Sequence, residues 1–404
     1  MKQTSEILER ISKSSNDHKD GVFTRLYRYL LREDIYYIAY WRLYANKGVS
    51  TKRIDGDTTD GFGEKYVKPL ISELKDVSYR AKPIRTDYIK KENGKMRPLG
   101  VPSFRDKLLQ ETISLIFEAI YEPTFSDNSH GFRPKRNRQT CIKQFKTEFK
   151  GVTWFIKGEI KGCFDNMDHK VLIEILQRKI KDSKLINLIR QFLKAGYVWN
   201  WTYNPTYGRT LQGGILSLLL TSIYLNELDN KVAEIKANFD SPQRTNEKEA
   251  YLEKRNERRR LSSELREEKD EMQRQNLLAA LEKNEQELQN ISCALQDNKK
   301  LVYVRYVDKW LIGISGDETD CEEIKTQIRE YLKDTLKLEL SEEKTRIIPG
   351  SKKTIFLGYG ISIRRNQVTR VSKSGRKGKG SKSFGRTATT APSRDKYVRK
   401  TRNV

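Results

Sequence analysis

Two segments of the chain place acidic side chains at the ends of apolar runs. The first, residues 155–165 (FIKGEIKGCFD), contains Glu159 and Asp165, and the second, residues 301–315 (LVYVRYVDKWLIGIS), contains Asp308. Phosphoryl transfer at a nucleotide 3′ end uses two metal ions roughly 4 Å apart, held by carboxylates. Those carboxylates come from separate strands, because one strand cannot surround two ions. The two segments are therefore candidates for one metal site.

The residues around these carboxylates predict the elements that hold them. Residues 301–315 are two apolar, β-rich runs meeting at a short polar tip, which predicts a hairpin with Asp308 at its turn. Residues 154–160 predict a strand. Residues 169–180 predict a helix, and Asp168 before it is the expected N-cap.

Other stretches predict a chain of mixed helices and strands. Residues 84–101 alternate and break at Asn93-Gly94, which predicts another hairpin. Residues 243–297 contain no Gly or Pro and are rich in Glu, Lys, Arg, Gln and Leu, which predicts an insertion of one or two long charged helices. Residues 372–404 have few apolar side chains, and we expect this tail to be disordered alone and attracted to phosphates.

The composition favours a polyanionic partner. The 404 residues include 79 Lys and Arg against 54 Asp and Glu, a formal net charge of +25. Four cysteines without zinc-pair spacing and three histidines make a zinc site or a disulfide framework unexpected. The apolar stretch 215–228 is about one third short of a membrane span, so it predicts a buried helix and no membrane partner. The N-terminus lacks the apolar core of a secretory signal.

Seven sequence blocks follow one another between residues 84 and 363. They are residues 89–110 (IKKENGKMRPLGVPSFRDKLLQ), 129–134 (SHGFRP), 154–169, 212–217 with 223–226, 306–309 (YVDK), 338–347 (LELSEEKTRI) and 356–359 (FLGY). In type and order these blocks resemble those of reverse transcriptases encoded by group II introns, also called maturases. Tyr306-Val307-Asp308-Lys309 stands where such enzymes have Tyr-Ala-Asp-Asp.

This resemblance implies an α+β fold, the fingers and palm of a right-hand polymerase, with a long charged helical insertion. It divides the chain into an N-terminal helical extension or fingers part (1–83), fingers (84–153), a palm (154–363) with its insertion (243–297), and a basic, disordered tail (364–404) at the start of a truncated thumb.

The resemblance also implies a metal site with altered residues. Glu159 corresponds to the first metal-binding Asp, Asp308 to the second and Lys309 to the third, so Glu159 and Asp308 are the expected ligands of Mg²⁺ or Mn²⁺. Lys309 puts a cation where a divalent cation binds in the family, so we expect impaired metal binding. Asp165 is a substitute carboxylate to consider, but its neighbouring Asn-Met-Asp turn favours a role in ordering the loop. For His130, local packing or hydrogen bonding is favoured over catalysis.

Other residues of this chain match the functional residues of the family without substitution. Arg97 matches a basic residue on the triphosphate, and Phe164 a bulky side chain against the sugar 2′ position. Gln212 and Gly213 match the motif that contacts primer-template, and Lys344 matches a proposed proton donor. Phe164 is equally consistent with a core aromatic.

Three functions remain open at this stage. The favoured one is a maturase-like protein that binds intron RNA and assists splicing, with polymerase activity lost or weak and a thumb or maturase fragment supplied in trans. The first alternative is an active RNA-directed DNA polymerase that acts on an RNA or DNA primer-template. The second is a decaying, truncated reading frame. We expect an organelle, a mitochondrion or a chloroplast, with the bacterial cytoplasm as the alternative.

Overall fold

A computed structural model describes residues 3–45, 62–90, 94, 96–199, 202–204, 214–240, 245–267, 270–296, 299–368 and 383–392. Helices and strands alternate through this part of the chain, which confirms the predicted α+β class. The α-helices are α1 (Thr4–Asp17), α2 (Glu33–Ala45), α3 (Glu64–Lys75), α4 (Phe104–Tyr121), α5 (Arg138–Glu148), α6 (His169–Lys179), α7 (Ser183–Lys194), α8 (Ile215–Phe239), α9 (Thr245–Glu267), α10 (Glu271–Gln296) and α11 (Glu318–Asp334).

The strands of the described residues form three sheets. They are β1 (Ile84–Lys90), β2 (Met96–Val101), β3 (Trp154–Glu159), β4 (Tyr197–Trp199), β5 (Thr202–Asn204), β6 (Lys300–Tyr306), β7 (Lys309–Ser315), β8 (Arg346–Pro349), β9 (Thr354–Phe356), β10 (Tyr359–Val368) and β11 (Ser383–Pro392). The sheet orders are β2-β1-β4-β5, β6-β7-β3-β8 and β11-β10-β9.

The antiparallel sheet β6-β7-β3-β8, called the central sheet below, has an apolar core on each face. Successive side chains of a strand point to opposite faces. Accordingly, Ile156 and Ile312 join the main core, whereas their neighbours Phe155 and Leu311 join a smaller core with residues of α5. Because both faces are covered, β7 carries a nearly continuous apolar run over residues 310–314.

Two buried helices organise the main core. α4 is buried on nearly all sides and packs against α1, α2 and α8. The Ser103 hydroxyl caps α4 by accepting a hydrogen bond from the Asp106 amide. The predicted helix over residues 215–228 is part of the longer α8, whose buried residues continue to Ile235.

Several predicted local structures are confirmed. Residues 84–101 form the antiparallel hairpin β1–β2, and Gly94 has a φ of 79°. The Asp168 side chain caps α6 by accepting hydrogen bonds from the Lys170 and Val171 amides. The charged insertion folds as α9 and α10, and an ion pair of 2.7 Å joins Lys254 of α9 to Glu287 of α10.

The expectation of a disordered tail is wrong over Ser383–Pro392. These residues form β11, which pairs antiparallel with all of β10, from Tyr359↔Pro392 to Val368↔Ser383. Threonine and alanine alternate along part of β11, and the pairing partner β10 supplies the backbone hydrogen bonds that composition alone does not reveal. Within the described part of the chain, no helix is long and apolar enough to cross a membrane.

Candidate active site

The central sheet brings Glu159 and Asp308 together at one end. Glu159 is the last residue of β3 and lies opposite Lys309, the first residue of β7. The amide of Ile160 donates a hydrogen bond of 2.9 Å to the Asp308 carbonyl. The pairing of β3 with β7 therefore places the two predicted carboxylates beside each other, although they belong to distant parts of the sequence.

The hairpin tip that carries Asp308 is tightly constrained. Val307 has a φ of 59°, in the left-handed region that β-branched residues rarely adopt. The buried guanidinium of Arg305 donates a 3.0 Å hydrogen bond to the Val307 carbonyl and pairs with buried Asp229. Gly131 lies against the tip: a Cβ there would stand 2.5 Å from Val307 Cγ2. These contacts hold the turn in one position.

Close packing also fixes the strand that carries Glu159. A Cβ on Gly158 would lie 2.1 Å from the buried ring of Trp310, which faces Gly158 across the β3–β7 pair. Glycine is therefore required where the two strands approach the indole. The position of Glu159 depends on this neighbour.

Two lysines neutralise the carboxylates. Lys309 Nζ lies 3.3 Å from Glu159 Oε2 and 3.2 Å from Asp308 Oδ2, so one ammonium bridges both acids. Lys344 Nζ lies 2.5 Å from Glu159 Oε1. Three ion pairs thus link two negative and two positive charges.

The pKa shifts follow from these contacts. Burial raises the pKa of Glu159, but the hydrogen bond from Lys344 and the charge of Lys309 outweigh burial, so the pKa lies below its ordinary value. The hydrogen bond to Glu159 raises the pKa of Lys344. Burial lowers the pKa of Lys157, which lies nearby on β3. Glu159 is therefore held as a carboxylate by its lysine neighbours.

These side chains line a cleft of about 850 Å³. The cleft brings together five of the predicted site or neighbouring residues, Glu159, Phe164, Asp308, Lys309 and Lys344, and Asp165 also lines it. Phe164 is 8% exposed and belongs to its wall. The structure places these residues in one site, and it leaves their chemical roles as predictions.

Cleft residues that sequence reasoning missed are Phe132, Arg138 and Lys157. Lys157 could have been found, because it precedes Glu159 by two positions on a strand and therefore shares its face. Arg138 is the first residue of α5, and no local signal connects it with the distant carboxylates.

The side chains of the remaining predicted site residues lie outside the part of the chain that the structure describes. Arg97 belongs to β2 in a different sheet, and its side chain lies outside the described residues. Gln212 and Gly213 also lie outside them. His130 is buried, and its ring nitrogens lie 2.8 Å from Thr140 Oγ1 and 2.5 Å from Gln144 Oε1. The predicted local hydrogen-bonding role of His130 is confirmed.

The donor set does not fit a pair of divalent ions in this arrangement. No group of three or more His, Cys, Asp or Glu side chains suited to a metal occurs among the described residues. Glu159 and Asp308 supply two carboxylates, and Lys309 occupies oxygens of both. A metal ion here would have to displace an ammonium first.

Comparisons with known proteins agree with this architecture. A family model described as reverse transcriptase (RNA-dependent DNA polymerase) matches residues 89–245. The chain is 50% identical over 375 residues to the group II intron-encoded protein LtrA of Lactococcus lactis subsp. cremoris, covering 92% of the chain and 62% of that relative. It is 35% identical over 362 residues to a 91 kDa protein in a cob intron of Schizosaccharomyces pombe, covering 89% of the chain and 44% of the relative.

A further relative is protein YkfC of Escherichia coli strain K12, 28% identical over 331 residues, with coverage of 80% of the chain and 79% of the relative. The chain spans less than two thirds of the length of the two relatives with higher identity. The central sheet, the hairpin that carries Asp308 and this similarity over most of the chain lead to one assignment. The chain belongs to the group II intron-encoded reverse transcriptases and has their α+β fingers and palm fold.

Proposed function

We propose that this chain is a maturase-like reverse transcriptase module that binds intron RNA and assists splicing, and that its polymerase activity is weak or lost. The observation that carries the proposal is the Lys309 ammonium, which lies within ion-pair distance of both Glu159 and Asp308. A polymerase needs two divalent cations where this chain supplies its own monovalent cation.

The charge at the site supports weak metal binding. Two ions must be placed at once, because one activates the 3′ hydroxyl and the other holds the triphosphate. With Lys309 and Lys344 paired to the carboxylates, the formal charge of the four groups is neutral. Glu159 is also one methylene longer than the family's Asp, and misplacement of a reacting group by about 1 Å can cost about a hundredfold in rate.

Two observations support RNA as the partner. The net charge is +25, and Arg138 and Lys157 line the cleft beside the ion-paired lysines Lys309 and Lys344. Cations that neutralise phosphates release counterions, which gives affinity without a metal ion. Intron RNA is the specific partner proposed here, in a bacterial cytoplasm or an organelle, with a thumb or maturase fragment as a further partner.

The family roles of the remaining residues form part of this proposal. Phe164 would lie against the sugar of a bound nucleotide, and Lys344 would donate a proton only after release from Glu159. Arg97 would contact a triphosphate, while Gln212 and Gly213 would contact the primer-template. Mg²⁺ or Mn²⁺ would be held by Glu159 and Asp308, weakly.

One observation favours the alternative, an active RNA-directed DNA polymerase. The side chain of Lys309 is 40% exposed, so it can swing into solvent away from both carboxylates, with Glu159 still paired to Lys344. The facing carboxylates Glu159 and Asp308 would then be available to a metal ion.

Primer extension separates the two functions. The assay uses Mg²⁺ and, separately, Mn²⁺, with the unaltered chain, Lys309→Asp, Glu159→Asp and the double variant, each with and without a thumb fragment of a related maturase. We expect the double variant to extend primers at least about a hundredfold faster than the unaltered chain, because it restores charge and ligand length. Primer extension by the unaltered chain at a measurable rate equal to that of the double variant would establish the polymerase alternative.

RNA binding and splicing of a candidate intron are measured in parallel with the same proteins. We expect the unaltered chain to bind intron RNA with an affinity that falls steeply with salt. Failure to bind RNA at about 100 mM salt would contradict the maturase function whatever the primer extension shows.

A further inference from the structure

Phe132 is an exposed aromatic side chain at the wall of the cleft. Its side chain is 43% exposed, and its φ of 55° lies in the left-handed region that bulky residues rarely adopt. Strained backbone of this kind persists only where the surrounding structure enforces it, and it clusters at ligand-binding sites. Phe132 thus has an energetically unfavourable backbone conformation and an aromatic ring that the protein covers only in part.

The residues on either side of Phe132 enforce its conformation. Gly131 lies against Val307 with no space for a Cβ. Arg133 is buried and donates hydrogen bonds to the Ser129 carbonyl at 2.9 Å and to the Ser126 carbonyl at 2.5 Å. The backbone of the loop is therefore held on both sides of Phe132.

The neighbouring aromatic ring leaves part of Phe132 open. The centroids of Phe132 and Phe164 are 6.0 Å apart with an angle of 69° between the planes, an edge-to-face contact. Phe164 is largely buried, whereas Phe132 keeps its exposed area beside the cleft that both residues line. The exposed part of the Phe132 ring can therefore stack on a planar group that enters the cleft.

The charged residues of the cleft indicate what planar group fits. Lys157 and Arg138 line the same cleft and can contact phosphate. A nucleotide carries both a planar base and phosphates, and aromatic stacking with basic side chains is how proteins bind single-stranded nucleic acid. We propose that Phe132 is a nucleobase-stacking residue of this cleft. The inference rests on the proposed function, since it assumes that nucleic acid or a nucleotide enters the cleft.

The base can come from an RNA strand or from a free nucleoside triphosphate, and the experiment distinguishes these sources. Binding is measured for a single-stranded RNA oligomer, an abasic oligomer of equal length, dGTP and inorganic tripolyphosphate. The proteins are the unaltered chain, Phe132→Leu, which keeps an apolar side chain without a ring, and Phe132→Trp, which keeps a ring.

We expect Phe132→Leu to weaken binding of the base-containing ligand roughly fivefold or more, and to leave binding of the abasic oligomer or tripolyphosphate unchanged. Phe132→Trp should retain the affinity. Dependence in the RNA arm alone assigns the base to a strand, and dependence in the dGTP arm alone assigns it to a free nucleotide. Equal losses with and without bases, or no loss in either arm, would overturn the inference.

The controls separate this inference from the proposed function and from folding. If the unaltered chain binds RNA and dGTP but residue 132 has no effect, only the stacking inference fails; if it binds neither, both fail. Phe132→Gly removes the ring and relieves the left-handed strain. We expect its Tm to be unchanged or higher while base-dependent binding falls. A lower Tm of Phe132→Leu and Phe132→Gly, with the Tm of Phe132→Trp unchanged, would show that the ring serves the fold, which contradicts the inference.

Discussion

Replacing Lys309 by Asp should convert the cleft into a tighter metal site. In the structure the Lys309 ammonium lies 3.3 Å from a Glu159 oxygen and 3.2 Å from an Asp308 oxygen. Asp at position 309 removes this cation and adds a third carboxylate beside the other two. A divalent ion then no longer has to displace an ammonium, and it gains a ligand.

The magnitude can be worked from the charges. Two unit charges 4 Å apart in water interact by about 1 kcal/mol. A divalent ion doubles this energy and the change from +1 to −1 doubles it again, which gives about 4 kcal/mol or about a thousandfold in Kd. Water is the appropriate lower limit because the Lys309 side chain is 40% exposed. Lys309→Met removes only the positive charge and should give about 2 kcal/mol, or about thirtyfold.

The assay is Mn²⁺ binding by isothermal titration calorimetry at fixed pH and ionic strength. Lys143→Asp is the matched control, because it makes the same charge change at an exposed position of α5 that does not line the cleft. We expect the order Lys309→Asp, Lys309→Met, then the unaltered chain and Lys143→Asp together. If Lys309→Asp binds Mn²⁺ no more tightly than Lys143→Asp, the electrostatic reasoning about this site is wrong.

Three further changes test other contacts of the site. The pKa of Glu159 is lowered in the folded state, so its charge stabilises the fold above the unfolded pKa, and this stability is lost as pH falls through the folded pKa. Glu159→Gln should therefore cost about 1 kcal/mol at pH 7 in denaturant unfolding, and the difference should shrink as the pH falls through the lowered pKa. Arg305→Met leaves Asp229 buried without its cation and should cost about 3–5 kcal/mol by the same measurement. Gly158→Ala forces a Cβ against Trp310 and should lower stability by about 1–3 kcal/mol.

Each of these changes has a matched control or a contradicting result. A Glu159→Gln effect that grows at acidic pH would reverse the sign of the linkage argument. A loss below about 1 kcal/mol for Arg305→Met would mean that the Asp229 carboxylate finds water. Gly63→Ala is the control for Gly158→Ala, because Gly63 is extended at a φ of 170° and a Cβ there meets nothing within 4 Å. Equal effects of the two glycine changes would refute the packing argument.

Local sequence predicted most elements of the fold. The β1–β2 hairpin, the Asp168 cap, the charged helices α9 and α10 and the β6–β7 hairpin follow from signals between residues close in the chain. The tail was the exception: β11 forms because β10 pairs with it along ten residues. Composition underestimates a strand whose stability depends on a partner.

The sequence by itself determined the identities of the carboxylates and the presence of a lysine at the hairpin tip. Only the tertiary structure decided that Lys309 contacts both acids and that Lys344, 185 residues from Glu159, pairs with the same carboxylate. The sequence likewise does not reveal the left-handed backbone conformation and the exposure of Phe132, because both depend on how Gly131 packs against Val307. The physical reason is that the distances between these charges depend on strand register and loop packing. Local sequence patterns identify the charged residues but do not encode either of these.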